Sequence, residues 1–344
     1  MKLLIVTQAV DANDPALGFF VRWIEEFSKH VESIEVICLE EGKHDALPAN
    51  VRVHSLGKEK NPPRFARRLM YVIRFKWLAW RLRHDYDAVF VHMNEEYIFI
   101  AGPLWRLLGK SIYLWRNHAR GSWRTMFVVA LSNKVFCTSK QSYTARFKKT
   151  VLMPIGIDTE RFVSKVPEER KTGSILFLGR LDPVKHPDLF AAACATLPSD
   201  TTREVHVYGD PTPGNEAYAD NLKRQYATVS NLSFHAGVSN EAAASLYRTH
   251  DIYVNLTTSG SFDKTIGEAM ASGCIVVCAN EALRGVVPDA RIVSDTIESV
   301  QSGIKGALAL SEKDREREHT IMREYVVRKH SLEKLCANLF IELI

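Results

Sequence analysis

In the second half of the chain, SILFLGRLDPVKHPDLF places Gly179 and Arg180 at the end of an apolar, strand-like run and Lys185 at the start of the next helical pattern. A diphosphate group needs fixed positive charge beside backbone amides at a helix N-terminus. At 4 Å and an effective dielectric of about 20, each cation contributes about 4 kcal/mol. The same groups would stabilise the negative charge that builds on a departing diphosphate, so they could accelerate a transfer as well as bind its substrate. The alternative reading is a solvated loop with a surface arginine and lysine.

Further on, SGSFDKTIGEAMASG sets Gly260, Ser261, Phe262, Asp263, Lys264 and Thr265 between the strand DIYVNL and a helix that ends near Gly273. Amides and small hydroxyls there could meet sugar or phosphate. Glu268 lies one turn into the helix, where its carboxylate could accept two hydrogen bonds from ribose hydroxyls. Thr265 and Glu268 also have the spacing of a capping box, in which the glutamate merely returns to the cap amide. In the first half, Arg116, Asn117 and His118 follow the strand SIYLW. His118 could orient a transferring sugar or handle a proton, or be a satisfied structural residue. Gly18, in DPALGFF before VRWIEEFSKH, either permits close ligand approach or is turn chemistry.

The elements that must position these residues are legible as short β-branched runs between helical patterns. KLLIVT, IEVICL, VRVHSL, AVFVHM, SIYLW and KVFCTS occupy the first half; SILFLG, EVHVYG, DIYVNL and CIVVCA occupy the second. Near-continuous apolar strands joined by helical crossovers call for parallel sheets covered on both faces. The expectation is an α/β chain of two Rossmann-like, doubly wound domains facing a cleft: residues 1–163, residues 164–330, and a terminal helix, 331–344, returning to the first domain. The seam is placed in the charged segment VSKVPEERKTG. In such sheets the ligand sits beyond the carboxyl ends of the strands, where the loops above lie.

At 344 residues the chain exceeds one ordinary core. No apolar run approaches the roughly 18 residues of a membrane span. The N-terminus reads as a first strand and not as a signal peptide, so a cytoplasmic enzyme is expected. Six scattered cysteines, without CxxC pairs or histidines at zinc spacing, read as buried free thiols. A formal charge of +5 suits an anionic ligand but does not indicate nucleic acid. A dinucleotide dehydrogenase would need G-x-G-x-x-G after a strand, and neither half offers it.

One stretch stands apart. Residues 64–83, RFARRLMYVIRFKWLAWRLR, interleave arginines and a lysine with five aromatic rings and no acidic residue. That mixture fits an anionic membrane surface, or a helix packed on the first sheet with its arginines solvated.

Taken in order, these segments resemble the family 4 retaining glycosyltransferases of the GT-B fold. The resemblance covers most of the chain and is strongest from GIDTERF at 156–162 to SGCIVV at 272–277. The G-R-L loop followed by a lysine, the G-D loop at Gly209, GVSNEAAASLYRTHDIYVNLT and E-A-M-A-S-G stand in the family's order. The resemblance implies that Arg180 and Lys185 hold the donor diphosphate, with catalytic weight, and that Glu268 holds the ribose. It implies backbone contacts to the base from Gly237 and Val238, a catalytic-face role for His118, and donor contacts from Gly18, Gly179, Gly209 and residues 260–265. It further implies no metal or cofactor, a nucleoside diphosphate sugar as donor, and a glycan or lipid-linked acceptor. Many members carry two glutamates with seven residues between them. Here the first falls on Gly260, and Asp263 could replace that carboxylate or cap the helix. An epimerase or hydrolase of the same fold, and a non-catalytic nucleotide-sugar-binding protein, are the competing functions.

Overall fold

The computed structural model describes residues 1–61, 63, 65, 67–163, 170–197, 204–258 and 262–343. The chain forms two units, Met1–Gly156 with Leu332–Ile344, and Ile157–Ser331.

The first unit holds a seven-stranded parallel sheet in the order β3-β2-β1-β4-β5-β6-β7. The strands are β1 (Lys2–Val10), β2 (Ser33–Glu41), β3 (Val51–Ser55), β4 (Ala88–His92), β5 (Ser111–Trp115), β6 (Lys134–Cys137) and β7 (Thr150–Leu152). Side chains alternate across a strand, so the apolar runs feed two cores. Leu3, Ile5 and Phe90 pack with α1 (Phe19–Ser28) and α11 (Leu332–Leu343) on one face. Leu4, Val6 and Val91 pack on the other with α2 (Arg67–Arg81), α3 (Glu96–Leu107) and α4 (Trp123–Leu131). The α11 leucines at helical spacing are all buried, and Tyr113 donates to the Leu343 carbonyl at 3.0 Å.

The second unit holds a five-stranded parallel sheet in the order β10-β9-β8-β11-β12. Its strands are β8 (Lys171–Leu178), β9 (Val205–Tyr208), β10 (Leu232–His235), β11 (His250–Asn255) and β12 (Ile275–Cys278). The helices are α5 (Pro187–Ala195), α6 (Glu216–Gln225), α7 (Asn240–Thr249), α8 (Lys264–Ala271), α9 (Ile297–Leu308) and α10 (Glu312–His330). Each unit is thus an α/β fold on a parallel sheet, as expected for each half of the GT-B architecture.

The chain passes between units at Gly156, ahead of the expected seam at 163–173, of which residues 164–169 lie outside the described residues. Gly156 has φ +76°, and a β-carbon there would strike Leu335 and Trp23, whose indole donates to the Gly156 carbonyl at 2.9 Å. Beyond it, the Ile157 amide donates to His330 and Arg323 donates to the Phe162 carbonyl, so 157–162 is packed in the second unit. All six cysteines are buried and unpaired. Among the described residues no helix is long and apolar enough to cross a membrane.

Candidate functional site

In the second unit the strand order reverses between β8 and β11, the position at which open α/β sheets present a ligand crevice. The loop after β8 is fixed laterally: Gly179 donates to the Tyr208 carbonyl and Leu181 to the Asp210 carbonyl, each at 3.0 Å. Buried Asp182 accepts from the Thr212 amide (2.9 Å), the Thr212 hydroxyl (3.0 Å) and Asn215 (3.1 Å). Lys185 does not open a helix as its spacing suggests. It ends a 3-10 turn, Pro183–Lys185, and left-handed His186 (φ 54°) reorients the chain before α5 begins at Pro187.

The turn aims Lys185 at the loop after β11. Its ammonium lies 2.5 Å from Asp263, with both side chains mostly buried. Asp263 is the N-cap of α8 and accepts from the Thr265 amide. Asn255, at the end of β11, donates to Asp263 (3.2 Å) and to the Thr265 hydroxyl (3.1 Å). Burial alone would raise the Asp263 pKa, but Lys185 and these donors outweigh it and hold it at about 2. Arg180 is half exposed and 3.6 Å from Asp182, so its guanidinium can turn to an incoming anion without leaving a buried position. Two cations from one loop and the N-terminus of α8 from the other thus converge at one switch point.

Glu268 does not close a capping box, because Asp263 already caps the helix. Its carboxylate, 3% exposed, accepts from Asn240 at 3.0 Å, a residue at the start of α7. Burial pushes the Glu268 pKa up, while Lys264, Asn240 and Arg161 pull it back. Burial likewise lowers that of Lys264, one turn earlier, against the attraction of Glu268 and Asp158. A carboxylate buried among cations and an amide is poised to exchange them for hydroxyl donors.

The loop glycines serve close packing. A β-carbon on Gly209 would sit 1.9 Å from the Gly179 carbonyl oxygen, and one on Gly237 would sit 2.5 Å from Asp210. The loops after β8 and β9 are therefore stacked at backbone distance, and the Asp210 carboxylate fills the space beside Gly237 in the loop after β10. Gly209→Ala is expected to cost about 1–3 kcal/mol in urea denaturation and to displace the Arg180 loop, since the clash is with backbone and cannot relax by rotamer change. Half-buried Val238 lies beside Gly237, and Phe262 is buried 5.0 Å edge-on to His330. Gly260 and Ser261 lie outside the described residues.

The remaining two candidates lie in the first unit. Gly18 is explained by turn geometry: a β-carbon there would lie 2.6 Å from the Asp14 carbonyl. His118 is exposed in the loop after β5, its Nδ1 within 2.9 Å of the Arg120 carbonyl, and its own carbonyl accepts from Tyr143. Sequence reasoning passed over Asp182 and Asn240, whose partners lie about 30 residues away in the chain, and Asn255, whose partners lie across the loop after β11. A cavity of about 370 Å³ opens at the other ends of the strands of the second unit. Its arginines are committed to structure: Arg170 to the His250 and Ser272 carbonyls, Arg323 to the Phe162 carbonyl, and Arg315 to buried Asp251.

The chain is similar to several known proteins. D-inositol 3-phosphate glycosyltransferase of Geodermatophilus obscurus is 32% identical over 153 residues, 40% of this chain and 34% of that protein. The matched part thus spans about a third of that relative. Anabaena Alr3699/HepE, solved with UDP and glucose, superposes with a TM-score of 0.78 at 15% identity, covering 100% of this chain and 99% of the other. Sucrose-phosphate synthase from Thermosynechococcus elongatus gives 0.78 at 18% identity over 99% and 98%. At such identities the likeness shows the fold. Residues 157–317, which contain every element of the switch-point site, match the family model of the glycosyl transferases group 1.

Proposed function

We propose that the chain is a retaining glycosyltransferase that moves a sugar from a nucleoside diphosphate donor to an acceptor hydroxyl. The observation that carries this reading is the convergence of Arg180, Lys185, the α8 N-terminus and buried Glu268 at one switch point. Arg180 and Lys185 hold the diphosphate and stabilise the charge that develops as it leaves, a part often given to a metal ion in other active sites. Glu268 accepts the ribose hydroxyls, positioned by Asn240. Gly237 and Val238 offer backbone groups to the base, and His118 serves the sugar. The relative's printed activity and the UDP and glucose bound by the Anabaena protein support a nucleotide-sugar donor. The acceptor we assign is a glycan or a lipid-linked saccharide. Six unpaired buried thiols fit a cytoplasmic enzyme.

The test is product analysis by mass spectrometry with EDTA present, supplying UDP-, GDP- and ADP-sugars with and without candidate acceptors. Acceptor-dependent release of nucleotide with a glycosylated product is expected. Donor isomerisation or hydrolysis indifferent to every acceptor would replace this reading with the epimerase or hydrolase.

A further inference from the structure

The layer α2–α3–α4 covers one face of the first sheet, and its outer side is not the polar surface that a packed helix layer ordinarily presents. Helix α2 meets the core through Phe75, Leu78 and Ala79. On its opposite side it carries a second apolar stripe at helical spacing: Leu69 (65% exposed), Ile73 (59%), Trp77 (52%) and Trp80 (49%). The heptad spacing of Arg67, Arg74 and Arg81 lines one border of that stripe, and Lys76 and Arg83 line the other. Arg81 and Arg83 lie over the Trp77 and Trp80 rings at 5.0 and 4.2 Å, so their charges stay at the level of the indoles. From Lys60 to His84 the sequence holds no acidic residue. The neighbouring helices continue the pattern. Phe99 of α3 packs edge-on to exposed Trp123 and Phe127 of α4, with Arg124 lying over Phe99 and Trp123.

Exposed indoles at the level of a ring of cations, with bulky aliphatic groups between, match a bilayer interface: apolar side chains enter the acyl boundary and guanidinium groups meet lipid phosphates. A protein partner of ordinary composition would leave so many unopposed cations without counter-charge. We infer that the outer side of α2–α3–α4 docks on an anionic membrane surface, Trp77 and Trp80 inserting and the flanking arginines pairing with headgroup phosphates. This holds whether or not the donor site works as proposed, because none of these residues belongs to it.

The test is sedimentation of the full chain with vesicles of phosphatidylcholine alone and of phosphatidylcholine with phosphatidylglycerol. The latter should retain the protein, less so as salt is raised. Each cation near the surface contributes about fivefold, so replacing Arg67, Arg74, Arg81 and Arg83 by Gln should weaken partition by about a hundredfold or more. Ile73→Ser with Trp77→Ser and Trp80→Ser should abolish binding and leave the melting temperature within a few degrees, since these side chains already face solvent. Equal binding to both vesicle types, or partition unchanged in the arginine variant, overturns the inference. So does a concentration-dependent dimer, seen by light scattering without vesicle binding, that the serine variant dissolves, which would make the occupant a second copy of the chain.

Discussion

Lys185→Met is expected to reduce sugar transfer by about a hundredfold to a thousandfold, the range seen when one preorganised donor to developing negative charge is removed. The same change should lower stability by about 3–5 kcal/mol, because Asp263 is left buried without its counter-charge. These two effects can be separated. Asp263→Asn in the Lys185→Met background removes the stranded charge, and asparagine still caps α8. The double variant should recover most of the stability in urea denaturation and none of the transfer rate. If transfer returns with stability, Lys185 acts only by bracing the loop. The ion pair also fixes a pH dependence. The folded-state pKa of Asp263 is depressed from 3.8 to about 2. Its contribution to stability is therefore present above the unfolded value and lost as pH falls through about 2. Asp263→Asn should flatten that acid limb.

Glu268→Gln is expected to weaken nucleotide binding by about tenfold to a hundredfold, since hydrogen bonds to a charged acceptor contribute about 1.5–3 kcal/mol. Only the ionised carboxylate offers an anionic oxygen to each ribose hydroxyl. Burial raises the Glu268 pKa above the ordinary carboxylate value of 4.5, so wild-type affinity should fall as the solution is acidified from neutrality, earlier than for an exposed glutamate. The Gln variant should lose that dependence. Stability moves the other way. A carboxyl whose folded pKa is raised favours folding below its unfolded value, and that contribution declines as pH rises through the folded value. A Gln variant whose nucleotide affinity keeps the wild-type acid dependence would remove Glu268 from the ribose site.

The two-sheet α/β fold could be read from the sequence because parallel strands are buried on both faces and leave continuous apolar runs, of which KLLIVT and CIVVCA are examples. Two strands escaped that signal. β10, LSFH, buries only Leu232 of its four residues at a sheet edge, and β7 is three residues, TVL, with none buried. The place of Arg180 in the loop after β8, and of Glu268 in the helix that follows β11, can be read the same way, but that of Lys185 cannot, because it ends a 3-10 turn instead of opening a helix. Their partners were not legible. The capping-box reading of Glu268 fails because Asp263 takes the cap and Asn240, 28 residues upstream, takes the carboxylate. Asp182 looks like an ordinary loop acid until Thr212 and Asn215 close on it from the next loop. Contacts of that kind depend on strand order, which no local spacing encodes. The glycines show the same limit: Gly18 and Gly209 look alike in sequence, but one relieves its own turn and the other admits a neighbouring loop.

The most direct test of the donor site in the second unit is a calorimetric titration of UDP, GDP and ADP against the full chain in EDTA, repeated with Arg180→Ala and Glu268→Ala. The account predicts that one nucleotide binds without metal and that both substitutions weaken it at least about tenfold. Binding of none of the three, or binding indifferent to both substitutions, would contradict it.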